Sequence, residues 1–278
     1  MIVNNLERGY IVLEKHDFTL GKYVELCKCI RNSSYITLNM REYLLNNTGL
    51  NHQILIMRHD IDQNCQYALD LAKEEHRYSI KSTYYFRANA KTYVPGIIDQ
   101  IASLGHEIGY HYETIDKCDG NIQKAKELFE KQLADFRIRY DVKTVCAHGN
   151  PLTKYDNKEI WNFTNLQNYG LIGEAFLCLD FNKFAYFSDS GRTWFNSKSQ
   201  KMKGKDAVNT AFAHIKPKNT DDLISIIREG SLPNICILTH PERWSRDTIG
   251  FIRRYLIDFV FTSGKTVINV YREANGRQ

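Results

Sequence analysis

Four polar clusters recur along the chain, and each closes a short apolar run: RHDID at 58–62, GHEIGYHYE at 105–113, AHGNP at 147–151 and LTHPERW at 238–244. Between the apolar runs lie amphipathic segments with helical spacing. Strand-like and helix-like patterns alternating in this way mark βα units around a parallel sheet, which predicts an α/β fold. QILIMRHDID reads as a strand running into a loop. Asn64 to His76 carries Ala68, Leu69 and Ala72 at helical spacing, and SIKSTYYFRA is the next strand. The pattern continues through YVPGIIDQIASLG (helix), HEIGYH (short strand), NIQKAKELFEKQLADFRIRY (helix), VKTVCAHG (strand) and NICILTH (strand). Upstream, YIVLE reads as a strand, and TLGKYVELCKCIRNS as a helix followed by a connecting turn. Every polar cluster therefore falls at a strand's C-terminal end. In a parallel α/β barrel that edge carries the active site, because helices cover the other surfaces and the following loops are free to vary.

Length and composition are compatible with this reading. A chain of 278 residues, 43% hydrophobic, can bury a sizeable core. No Pro/Gly-rich linker divides it, so residues 1–278 are read as one barrel domain with its core at about 50–245. The net charge of +5 is dispersed, with KMKGK at 201–205 the only dense basic run. Phosphate-bearing substrates suit such a balance, and nothing marks a nucleic-acid partner. The seven cysteines include no CxxC pair, which favours reduced thiols over a disulfide framework or a zinc ribbon. MIVNNLERGYIVLEKHDF lacks the pattern of a signal peptide, and no later segment offers about 18 consecutive apolar residues. The chain is therefore read as a cytoplasmic protein without a transmembrane segment.

Asp60 and Asp62 are spaced i, i+2, which on an extended segment puts both carboxylates on one side. A bound cation would make one a ligand and leave its neighbour free to act as a base. Asp62 also suits a turn and helix cap before NCQYALDLA. His111 closes the GHEIGYH run, His148 sits in the AHGNP turn and His240 in LTHPERW, whereas His106 within GHE reads as structural. Zinc accepts His nitrogen and Asp oxygen, and three protein ligands with one open position form a catalytic site. One aspartate with two histidines is thus chemically sufficient.

The order Asp-x-Asp, GHEIGxH and a late LTHP resembles the polysaccharide deacetylase (NodB-like) family of carbohydrate esterases. GHEIGYHYE, AHGNP, NKEIW, GEAFLCLDF, SDSGRTW and LTHPERW together look like an uncharacterised bacterial branch associated with surface-polysaccharide synthesis, over residues from about 15 to 275. The resemblance implies a distorted (β/α) barrel of about seven strands that removes acetyl groups from sugars with a divalent metal, most suitably zinc. It implies Asp60 as general base, Asp62 and His111 as metal ligands and His240 as general acid. The chain departs from the family pattern in three respects. The family's second motif is His-x-x-x-His, but Ile115 stands four residues after His111. His148 is then the expected third ligand, with Glu113 second. The paired Asp-Asp becomes Asp60-Ile61-Asp62, and the arginine-bearing motif is absent, which leaves Arg58 to orient Asp60 through a bidentate contact.

FAYFSDSGRTWFN places Asp189, Arg192 and Trp194 on a loop after another strand. Carboxylate, guanidinium and a stacking aromatic are common in sugar sites, so these residues, with Trp244, are read as substrate-binding; the alternative for the tryptophans is a cover over the barrel rim. Two functions follow. The first is a deacetylase acting on a nucleotide- or lipid-linked sugar during capsule or O-antigen assembly. The second is a barrel that keeps the carbohydrate cleft but has altered or lost hydrolysis.

Overall fold

The computed structural model describes residues 16–46, 52–150, 153–194, 208 and 210–246. The expected YIVLE strand, the KMKGK run and Pro151 lie outside these residues. Eight parallel strands form one sheet: β1 (Ile36–Leu38), β2 (Ile54–Ile61), β3 (Thr83–Arg87), β4 (Glu107–Tyr112), β5 (Thr144–Ala147), β6 (Gly173–Glu174), β7 (Ala185–Ser188) and β8 (Asn234–Thr239). Their spatial order is β6-β5-β4-β3-β2-β8-β7, with β1 beside the first half of β2. Chain order thus runs round the sheet, with a seam between β6 and β7. This is the distorted (β/α) barrel that the sequence suggests, with β1 as an addition to the seven-strand path.

Helices α1 (Leu20–Arg31), α2 (Met40–Asn46), α3 (Cys65–Arg77), α4 (Pro95–Ser103), α5 (Thr114–Lys117), α6 (Ile122–Arg137) and α7 (Thr220–Glu229) occupy the connections. Their starts are locally encoded. Thr19, Asn64, Asn121 and Asn219 each accept a main-chain N–H of the first turn, and Pro95 opens α4. The expected connecting turn after α1 is instead β1 followed by α2.

All eight residues of β2 are buried, as a parallel strand covered on both faces requires. Alternation then sorts them. Leu55 and Met57 pack with Tyr23 and Leu26 of α1, and Ile61 packs with Ala68 of α3. Ile54 and Ile56 meet Phe184 and Cys236 inside the barrel, so Arg58 and Asp60 also point inward. Gly109 is required in this interior, since a Cβ there would lie 2.3 Å from the Tyr85 ring.

Candidate metal centre

Strand register delivers the site. His111 pairs with Arg87 across β3–β4 and with Cys146 across β4–β5. Beyond β5 the His148 N–H still donates to the Tyr112 carbonyl at 2.8 Å, which carries its imidazole to the same height. Asp62 arrives from the end of β2. Its Oδ1 lies 3.0 Å from His148 Nδ1 and 3.5 Å from His111 Nε2, and the two ring nitrogens are 3.2 Å apart. Three ligands at 2.0–2.1 Å from a tetrahedral ion would be separated by about 3.3 Å, and those on one octahedral face by about 3.0 Å. The observed triangle fits a metal-binding face and accommodates either geometry.

The electrostatics agree. His111 Nδ1 lies 3.0 Å from the Cys146 carbonyl, an acceptor that fixes the proton on Nδ1 and leaves Nε2 as a lone-pair donor. Burial by itself would raise the Asp62 carboxyl, but His148 and His111 hold it well below the usual range. Burial would lower His111, and Asp60 and Asp62 outweigh that and raise it. Asp62, His111 and His148 are therefore a group that could hold a metal ion.

A second group shares His111: Asp60 and Cys146. It is looser, with His111 Nε2 3.9 Å from Asp60 Oδ2 and Cys146 Sγ 3.7 Å from each Asp60 oxygen. It also already faces a cation. The buried Arg58 guanidinium lies 3.3 Å from Cys146 Sγ and 3.8 Å from Asp60 Oδ2, with its Cζ 4.1 Å from the Phe176 ring centroid. Coulomb repulsion thus favours an ion on Asp62, His111 and His148. The expected bidentate clasp of Asp60 by Arg58 is not formed. One long ion pair joins them, because the guanidinium is shared with Cys146 and with Tyr186 Oη at 3.5 Å.

Four further residues are placed differently from the sequence reading. Glu113 does not reach the triangle, being paired with Arg87 and with Lys117 at 2.8 Å. It acts one step removed, since Arg87 also donates to the Asp62 carbonyl at 3.1 Å. Asp189 has 0% exposure and so no surface for a sugar. It accepts from His240 Nδ1 at 2.7 Å, the His240 main-chain N–H at 2.9 Å and Trp244 Nε1 at 3.0 Å. Trp194 and Trp244 are buried, packed at tilted or edge-on angles against each other and Phe18, and Trp194 donates to Thr220 Oγ1. Both rings are enclosed by protein and so present no open face to a sugar. Arg192 is partly exposed, has a left-handed φ of 56° and donates to Ser245 Oγ at 3.4 Å.

His240 is buried and close enough to Asp62 to feel its charge. Burial and Arg243 would lower its pKa, but Asp189 and Asp62 raise it. His106 is structural, its Nε2 3.0 Å from the Ala72 carbonyl. Ile115 packs in the main core and its N–H donates to Asn157 Oδ1, so a histidine at that position would not face the metal group. The sequence reading missed Cys146, whose signal was its inward alternation between Thr144 and His148, and Glu174 within GEAFLCLDF. Glu174 accepts main-chain N–H groups of Ala147, Phe176 and Leu177, a latch beside the barrel seam.

No protein-family model and no curated protein matches this chain.

Proposed function

We propose that this protein is a metal-dependent hydrolase of the polysaccharide deacetylase (NodB-like) kind, removing an acyl group from an amino sugar or sugar ester. The observation carrying the reading is the Asp62–His111–His148 triangle, with edges of 3.0–3.5 Å, flanked by Asp60 and by a buried His240. The group expected there is a divalent ion, and zinc suits one carboxylate and two imidazoles with an open position. When bound, it supplies Lewis acidity toward a carbonyl oxygen and lowers the pKa of an attacking water.

The chain's own residues divide the remaining work. Asp60 lies within 3.9 Å of His111 Nε2, beside the triangle and outside it, which suits a base taking the water's proton. The Arg58 guanidinium lies 3.8 Å from the Asp60 carboxylate and faces it from within the barrel. His240 is raised in pKa and oriented by Asp189, so it can protonate a departing amine. The sugar is a nucleotide- or lipid-linked precursor of surface polysaccharide, handled in the cytoplasm. The resemblance supports the substrate class, and the seven free cysteines suit a reducing compartment.

Elemental analysis of the purified chain tests the reading. Near-stoichiometric zinc is expected, lost in Asp62→Ala, His111→Ala and His148→Ala. His240→Ala should keep the metal while amide hydrolysis falls about 100-fold or more. Absence of any divalent ion after reconstitution would sink the hydrolase and favour a barrel that only binds carbohydrate.

A further inference from the structure

Behind the site, on the helix-facing side of the sheet, lies a second polar network. Glu75 of α3 has 0% exposure. Tyr23 donates to its Oε1 and Tyr84 to its Oε2 at 2.7 Å. His59 Nε2 lies 2.7 Å from the same carboxylate, and His106 Nδ1 is 3.6 Å away. Burial would raise the Glu75 carboxyl, yet His59 and its other neighbours bring it down to about 2. The opposite edge of the His59 ring meets the Thr239 hydroxyl, with Nδ1 and Oγ1 2.6 Å apart. A buried ionic group of this kind is a poor means of adding stability and is better suited to fixing one arrangement.

The position of the bridge matters. His59 and Thr239 are register partners and form the last rung of the β2–β8 ladder. One residue further on, the two strands deliver Asp60 and His240 into the barrel mouth. The geometry points to Glu75, His59 and Thr239 as positioning residues that fix the relative depth of Asp60 and His240. Glu75 anchors the His59 ring, the ring holds Thr239, and the final rung cannot slip where the strands part. This inference rests on the hydrolase reading above.

The test uses the full-length zinc-loaded chain and p-nitrophenyl acetate, an ester whose leaving group needs no proton, so that the rate reports on Asp60. In Thr239→Val, which exchanges a hydroxyl for a methyl of similar size, kcat is expected to fall about tenfold or more with KM and zinc content unchanged. Thr239→Ser should restore it, and Glu75→Gln should act in the same direction as Thr239→Val. If an active wild type tolerates Thr239→Val with unaltered kcat and only a lowered Tm, the network is merely structural and the inference is overturned. A wild type without zinc and without hydrolysis overturns the hydrolase reading, and this inference falls with it.

Discussion

The Asp189 carboxylate receives three N–H donors from His240 and Trp244, so its charge is fully engaged inside the protein. Burial would raise this carboxyl, but His240 and Arg243 bring it below the usual range, while His240 is raised in return. The stabilisation from Asp189 is present above its unfolded value of about 3.9 and is lost as pH falls through the lower folded value. That from His240 is present below about 6.5 and is lost as pH rises through the higher folded value. Asp189→Asn should therefore cost the most, roughly 3 kcal/mol, between about pH 4 and 6.5. Urea midpoints of both proteins across pH check this. A difference that stays flat with pH would mean that Asp189 acts through shape alone.

Between neighbouring elements, β3 and β4 are fitted by a missing side chain. The Tyr85 ring crosses Gly109, and its hydroxyl lies 3.0 Å from Thr144 Oγ1. Gly109→Ala should destabilise the barrel by about 1–3 kcal/mol through overpacking, and Tyr85→Leu in the same chain should return part of that loss. Strictly additive losses in thermal melts would show that Tyr85 is not the obstacle. Much of this architecture was legible, because apolar runs ending in charged residues mark the strands that carry Asp60, Asp62, His111, His148 and His240. β6 was not, since two residues carry no periodicity. α7 was legible in principle, with Asn219 as cap and Leu223, Ile224 and Ile227 on one face. Trp194 and Trp244 were misread because Phe18 and Tyr23 pack on them, and Asp189 because His240 and Trp244 engage it, all partners far away in sequence. Glu75, within KEEH, looks like a solvated helix residue until Tyr23 and Tyr84 close over it.

For the molecule as a whole, an ion held by Asp62, His111 and His148 would tie together the ends of β2, β4 and β5. Metal present at 100 times its Kd contributes about 2.7 kcal/mol, so chelation should lower Tm by about 5–10 °C. Back-titration with zinc should restore it, and a melt indifferent to both would count against the centre. β2 is the hub of the sheet, bordered by β1, β3 and β8. Its ladder with β8 opens at Ile54 and Asn234, 180 residues apart. A ribosome adding about 5–20 residues per second needs roughly 10–35 s to travel between them. For that interval the newborn chain carries β2 with its β8 flank unpaired. The strand that finally covers it leads directly into His240, which is thus synthesised after Asp60, Asp62, His111 and His148.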